Sequence, residues 1–428
     1  MAELVKGTEI RTANNKMVKI LDKLGEGGQG IVYRVEYDGK QKALKWYKPN
    51  AIKDHGKFYK NIVNNIEKQA PTESFLWPED ITEYYDGSFG YVMNLRPREY
   101  KEFTEFLLAK QRFSSLEAMI NAALNIIAGF RALHNKGYSY QDMNDGNFFI
   151  NPVNGDVLIC DNDNVSEVGF SSGIAGKCRY MDPQIVMNKK TPDTYTDRFS
   201  MAVITFMILF LNHPLEGQAV VSKPVMTEML EKKLYGESPV FILDPTDSSN
   251  RPVRGIHTNV IVRWPLFPQY VKELFVKAFD KEVMAGRTKA PIDKEWFNMF
   301  VKLKSEVIRC SCGADNIASS TESISCVRCG NVITLPYHIH TNEFDIPIFP
   351  GVKIVKCHIE DSDDYITEVG EVIRSKNDPK IWGIRNLSSV TWYLTLNDGN
   401  TKPIGQGEVI PIRKNAKFSV GSKTVEIR

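Results

Sequence analysis

Gly25-Glu26-Gly27-Gly28-Gln29-Gly30-Ile31-Val32-Tyr33-Arg34-Val35, followed by Ala43-Leu44-Lys45, is the stretch whose reading decides the fold. Around it residues 17–47 alternate in period two through Val18, Ile20, Ile31, Tyr33, Val35, Ala43 and Lys45, with Asp38-Gly39 as a hairpin turn. Three strands are therefore expected, and the glycines lie between the first two. In a dinucleotide-binding fold such glycines join a strand to a helix instead. Without side chains, glycine amides can approach phosphate groups closely. A plain glycine-rich hairpin is the bland alternative. Lys45 shares a strand face with Ala43, which favours a buried role over a solvent-facing one, although Lys40, Lys42 and Lys48 surround it.

Working outward, residues 57–69 place Phe58, Ile62, Val63 and Ile66 on one helical face, and Pro71 is expected to end that helix. Short strands are expected at Ile81–Tyr85 and Tyr91–Leu95. A long helix starts near Ser115 and carries Leu116, Ile120, Ala123, Ile127, Phe130 and Leu133 at helical spacing. Ser114 or Ser115 is its N-cap and Gly137 its stop. Phe148-Phe149-Ile150 and Val157-Leu158-Ile159 read as two strands joined through Asn154-Gly155, and helices dominate from about 195 to 305. The pattern is a strand-rich small lobe followed by a helix-rich large lobe.

Two further segments carry oxygen-bearing side chains: Tyr140-Gln141-Asp142-Met143-Asn144-Asp145-Gly146-Asn147 and Leu158-Ile159-Cys160-Asp161-Asn162-Asp163. With the glycine loop and Lys45, their order and spacing resemble the protein kinase catalytic core, over roughly residues 17–300. The resemblance implies a bilobal fold holding ATP and Mg2+ in the cleft. Carried onto this chain, Gly25, Gly27, Gly28 and Gly30 cover the phosphates. Val32, Ala43 and Met93 surround the adenine, with Asn94 and Leu95 leading into the hinge. Lys45 meets the α- and β-phosphates. Asp142 accepts the proton of the attacking hydroxyl, and Asn147 and Asp161 hold Mg2+ through hard oxygen ligands. Glu67, or a residue near Asn61, is the expected partner of Lys45. Asp197, in Asp197-Arg198-Phe199-Ser200-Met201-Ala202, braces the catalytic loop. Gly176-Lys177-Cys178-Arg179-Tyr180-Met181-Asp182-Pro183-Gln184 resembles the end of an activation segment, with Arg287 meeting Gln184.

The chain departs from the family pattern at four places. Tyr140 replaces a structural histidine. Gln141 replaces the arginine that grips a phosphorylated activation loop, so phosphorylation at Ser166, Ser171 or Ser172 is not expected to be required. Asn144 stands where a lysine often steadies the transferred phosphate. Asp163 replaces a glycine, which is expected to stiffen that hinge. The leading reading is an ATP- and Mg2+-dependent protein kinase acting on serine or threonine, itself included. A nucleotide-binding pseudokinase scaffold is the alternative. A small-molecule phosphotransferase is a third reading, opposed by the activation-segment and central-helix motifs.

Cys310-x-Cys312-Gly and Cys326-x-x-Cys329-Gly are separated by thirteen residues. Four thiolates in two glycine-backed knuckles predict a structural Zn2+ site, a ribbon over 306–335, with reduced cysteines in a hairpin as the alternative. Residues 345–428 are rich in Val, Ile, Thr and Tyr broken by turn residues, and read as an all-β sandwich. Within it Ile384-Arg385-Asn386-Leu387-Ser388-Ser389-Val390-Thr391-Trp392, Asn397-Asp398-Gly399-Asn400 and Gly405–Ile412 resemble the second half of a forkhead-associated domain. Arg374-Ser375 and Arg385-Asn386 are its candidate phosphothreonine ligands; docking or autoinhibition is the competing use. The expected fold class is therefore α+β: a bilobal kinase-like domain over 1–305 (small lobe about 1–95, large lobe about 96–305), a zinc ribbon and a β-sandwich. Together these resemble the kinase of the bacterial tellurium-resistance-associated phosphorylation triad. That resemblance implies a protein substrate, a metal-dependent phosphatase and a von Willebrand factor A protein as partners.

The composition sets bounds. The 428 residues are 42% hydrophobic and 25% charged with a net charge of +2, so no general attraction to nucleic acid or to an anionic membrane is expected. The run Met201–Leu211 is too short to cross a bilayer. The first residues carry no apolar stretch of signal-peptide type, and a clustered set of cysteines suits a reducing compartment, so the cytoplasm is the expected location.

Overall fold

The computed structural model describes residues 3–52, 54–168, 176–319, 322–341 and 343–428. Ser171 and Ser172 lie outside the described residues. The chain divides into two units: residues up to 114 with 121–264 and 272–296, and residues 115–120 and 265–271 with 297–428.

The first unit opens with the strands β1 (Glu9–Arg11), β2 (Met17–Glu26), β3 (Gly30–Tyr37) and β4 (Lys40–Tyr47), then helix α1 (His55–Lys68), β5 (Asp80–Ile81) and β6 (Gly90–Met93). The sheet order is β1-β2-β3-β4-β6-β5. β2 to β4 are the three strands the alternation predicts; β1 is an addition the sequence did not announce. The inward residues Val18, Ile20, Tyr33, Val35, Leu44 and Val92 form one core cluster, fully or nearly fully buried. α1 starts on Asp54, whose carboxylate accepts from the Lys57 amide. It ends at Gln69 in a left-handed turn (φ 59°), ahead of Pro71 rather than on it.

Helix α2 (Leu116–Asn135) is capped by the Ser115 hydroxyl, which accepts from the Ala118 amide, and it stops before Gly137, at φ 78°. Among the described residues this one helix is long and apolar enough to cross a membrane by length and composition; Ile120, Ala123, Leu124, Ile127 and Phe130 on it are completely buried. After it, β8 (Tyr138–Tyr140) pairs with β11 (Val165–Glu167), Tyr140 opposite Val165. The hairpin β9 (Phe148–Ile150) and β10 (Val157–Ile159) pairs Ile159 with Phe148, and β7 (Lys101–Glu102) joins it through β9. These short ladders hold residues 141–147 and 160–164 side by side. Helix α3 (Thr194–Phe210), started by a capping box on Asp193, is buried along nearly its whole length.

In the second unit two small hairpins, Val307–Arg309 with Asp315–Ile317 and Ser323–Ser325 with Val332–Thr334, carry the cysteine pairs. Beyond them lie two antiparallel sheets. In spatial order the first runs Asp345–Pro347, His338–His340, Lys423–Ile427, Lys417–Val420, Trp392–Thr395 and Thr401–Ile404. The second runs Lys353–Val355, Glu368–Arg374, Trp382–Asn386 and Val409–Pro411. Gly370 in the second sheet faces the Trp392 ring in the first, and a Cβ there would lie 2.9 Å from it. Trp392 stacks on Phe418 at 5.3 Å, and Ile339, Ile354, Ile384 and Val425 complete a dry layer. The residues expected to form an all-β module thus form C-terminal strands in two facing layers, and His338–His340 belongs to them.

Candidate active site

Strand register sets the roof. Val32 stands opposite Lys45 and Lys45 opposite Tyr91; Ala43 stands opposite Met93. Directly opposed residues share a sheet face. Ala43 and Met93 are buried, Val32 and Leu95 partly so, and Asn94 accepts a hydrogen bond from Lys42 Nζ at 2.6 Å. The glycines separate into two kinds. A Cβ on Gly30 would lie 2.3 Å from the Trp46 carbonyl oxygen, so Gly30 is required by the sheet. A Cβ on Gly25, Gly27 or Gly28 would meet nothing within 4 Å, so open space lies beside these glycines.

Lys45 is buried, and its ammonium lies 2.9 Å from Asp163 Oδ2, 3.1 Å from Asp161 Oδ1 and 3.3 Å from Gln29 Oε1. Burial works against its charge, but the two carboxylates outweigh burial and hold its pKa above the ordinary lysine value. The Tyr47 hydroxyl donates to Asp163 at 2.7 Å and that of Tyr91 at 3.2 Å. Burial first, then Asp163, keeps both phenols well above their usual pKa. The partner of Lys45 is therefore Asp163, and the expectation of Glu67 is corrected: Glu67 is exposed. Asp163 does more than stiffen a hinge; it is a buried acid that replaces a helix glutamate. Helix α1 meets this segment with amides instead. Asn61 Nδ2 and Asn65 Nδ2 donate to the Val165 carbonyl at 2.9 and 3.0 Å.

Below the roof, Asn147 Nδ2 donates to the Asp142 carbonyl at 2.7 Å, and the Asn147 carbonyl accepts from the Cys160 amide at 3.0 Å. Asp161 sits in the left-handed region at φ 55° and ψ 41°, a conformation a non-glycine residue adopts at a cost of about 1–3 kcal/mol. Its side chain stays about one-third exposed, at 35%. Burial, then the charge of Asp161, raises the pKa of Asp142; hydrogen bonding from Asn144 and the charges of Lys177 and Lys45 oppose the rise. Lys45 and Asp161 on one side and Asp142 and Asn147 on the other are thus joined through neighbouring segments. The oxygen donors of Asn147 and Asp161 are of the hard type that Mg2+ takes.

The loop is held from beneath. Asp197 Oδ2 accepts from the Tyr140 amide at 2.7 Å, as the central-helix motif implies. Tyr140 gives its hydroxyl to the Cys160 carbonyl, which ties the loop to the Asp161 segment. A histidine that the sequence did not single out joins in. His134 Nε2 lies 3.1 Å from Asp197 and its Nδ1 3.0 Å from Asp293, which Arg198 also grips at 2.9 Å. Burial alone would neutralise His134, but the two carboxylates push its pKa up to about 9 and Asp293 is held down at about 2. One further expectation fails. Gln184 donates to the Met284 carbonyl at 2.8 Å, while Arg287 pairs with Glu282. Ser166 is buried and hydrogen-bonded by Gln141.

In the second unit the Sγ atoms of Cys310, Cys312, Cys326 and Cys329 lie within 4.8 Å of one another. Cys310 and Cys329 are 3.7 Å apart, Cys312 and Cys326 3.6 Å. Tetrahedral thiolates at the usual Zn–S length of about 2.3 Å lie about 3.8 Å apart, so the cluster fits such an ion. Gly313 and Gly330, at φ 83° and 73°, turn each knuckle. In the β layers Arg374 stacks over Trp382 and Arg385 lies 3.6 Å from Glu371.

The protein kinase domain family matches residues 18–248, more than half of the chain. The chain belongs to that family. A curated relative, the probable serine/threonine-protein kinase nek3 of Dictyostelium discoideum, is 23% identical over 292 residues. The match takes in 60% of this chain but only 24% of that relative's length.

Proposed function

We propose that this chain is an active, ATP- and Mg2+-dependent protein kinase that phosphorylates serine or threonine hydroxyls, its own included. The observation that carries the reading is that Lys45 meets both Asp161 and Gln29 of the glycine loop, while Asn147 joins Asp142 to the Asp161 segment. In this reading the loop amides and Lys45 bind the triphosphate, and Val32, Ala43, Met93, Asn94 and Leu95 receive the adenine. Asn147 and Asp161 would hold Mg2+, which supplies charge neutralisation at the phosphates. Asp142 orients the acceptor hydroxyl and takes its proton. The raised pKa of Asp142 makes it a stronger base than a free carboxylate.

The remaining assignments belong to the same proposal. The kinase domain occupies residues 1–305. The four cysteines hold a structural Zn2+ in a ribbon over 306–335. A forkhead-associated-like sandwich over 345–428 serves docking, regulation or phosphothreonine binding. The three-part order supports membership of the tellurium-resistance-associated triad, with a metal-dependent phosphatase and a von Willebrand factor A protein as partners in a bacterial cytoplasm.

One observation favours a pseudokinase scaffold instead: Lys45 is already surrounded by Asp161, Asp163 and Gln29. Incubation with radiolabelled ATP and Mg2+, wild type beside Asp142→Ala, separates the two. Label on protein serine or threonine with the first and not the second supports the enzyme. ATP binding with no transfer by either supports the scaffold.

A further inference from the structure

Phosphoryl transfer spreads negative charge over the oxygens of the moving group, and a fixed cation beside the acceptor stabilises it. Lys45 is committed to Asp161 and Asp163. Between Gln141 and Asn147 the catalytic loop carries no cation of its own. An ammonium reaches the loop from another segment. Lys177 Nζ lies 3.2 Å from Asn144 Oδ1 and 3.7 Å from Asp145 Oδ1. Asn144 Nδ2 in turn is 3.3 Å from Asp142 Oδ1. The backbone guides this approach: a Cβ on Gly176 would sit 3.3 Å from the Gln141 carbonyl oxygen and 3.4 Å from Asp142 Oδ1. The Lys177 side chain is 60% exposed. An ion pair that open contributes little to folding, about 0–1 kcal/mol, and it leaves the ammonium accessible to a ligand.

We propose that Lys177 is a catalytic residue: seated on Asn144 beside Asp142, its ammonium contacts the transferred phosphoryl group and steadies its charge. This rests on the kinase reading above. In the step, the bond from the acceptor oxygen to phosphorus forms and the bond from phosphorus to the bridging oxygen of ATP breaks. The electron pair leaves with ADP, and the acceptor proton passes to Asp142. Lys177 keeps its protons throughout. A lysine from the activation segment thereby stands in for the one the catalytic loop lacks.

The test uses the full chain with Mg2+ and radiolabelled ATP, scoring self-labelling and transfer to a generic protein acceptor. Lys177→Ala is expected to lower kcat about tenfold or more, with KM for ATP nearly unchanged and the unfolding midpoint unmoved. Adding Asn144→Lys to Lys177→Ala returns an ammonium to the loop and is expected to recover most of the turnover, which a merely structural role would not allow. Wild-type kcat in Lys177→Ala, or no recovery in the double variant, overturns the role of Lys177. Transfer by the wild type, lost in Asp142→Ala, leaves the kinase reading standing in that case. No transfer by the wild type overturns both.

Discussion

Lys45 and Asp163 form a buried ion pair at 2.9 Å, closed over by the hydroxyls of Tyr47 and Tyr91. Both partners are buried, Lys45 on β4 and Asp163 two residues after Asp161. Lys45 is thereby tied directly to the Asp161–Asp163 segment, and the expected α1 acid Glu67 takes no part in the pair.

Removing one member of a buried pair leaves the other charge uncompensated, at a cost of about 3–5 kcal/mol. Asp163→Ala leaves Lys45 with Asp161 and Gln29 but strands the buried hydroxyls of Tyr47 and Tyr91, and it is expected to lower the unfolding free energy toward the lower end of that range and to weaken ATP binding. Glu67→Ala, on the exposed face of α1, is expected to change neither. Denaturant unfolding and nucleotide titration of the two variants check this.

The amides of α1 carry the docking that a glutamate would otherwise share. Asn65→Ala removes one of the two side-chain donors to the Val165 carbonyl and leaves it Asn61 alone, at about 0.5–1.5 kcal/mol. Stability and turnover are both expected to fall, and Asn65→Asp is expected to be no better, because a carboxylate has no proton to donate to the Val165 carbonyl.

The loop glycines separate by substitution. Gly30→Ala forces its Cβ against the Trp46 carbonyl and is expected to destabilise the pairing of β3 with β4. Gly27→Ala has room and is expected to keep the unfolding midpoint while raising KM for ATP. Calorimetry and steady-state kinetics on both variants test the division.

His134 gives the fold a pH signature. Its folded pKa of about 9 exceeds the unfolded value of 6.5, so its stabilisation is complete below about pH 6.5 and is lost as pH rises through about 9. The shift corresponds to about 3 kcal/mol. Denaturant unfolding across this window is expected to show the decline in the wild type and a flatter profile in His134→Gln.

The nearness of Lys45 to Asp161 and of Asp142 to Asn147 was legible because their spacing is a backbone property, set by strands and turns that the alternation also reveals. Asp163 was read only as a lost glycine. Its burial depends on Tyr47 and Tyr91, distant in sequence, and the available sign was the Asn61/Asn65 pair on α1 where an acid was expected. His134 was missed for a similar reason: Tyr140 marks where a histidine is absent, and nothing local shows that one on α2 reaches Asp197. Gln184 was paired with Arg287 by family position, but Arg287 has Glu282 five residues away and takes it. The cysteine spacing sufficed to bring four sulfurs together, because each knuckle is a local turn.

The most direct measurement is a crystal structure of the full chain with a non-hydrolysable ATP analogue and Mg2+. The account predicts the triphosphate between the Gly25–Gly30 loop and Asp161, metal density at Asn147 and Asp161, and Lys45 touching phosphate while still paired with Asp163. A cleft without nucleotide, or Lys45 withdrawn from Asp163 to pair with a residue of α1, would contradict it.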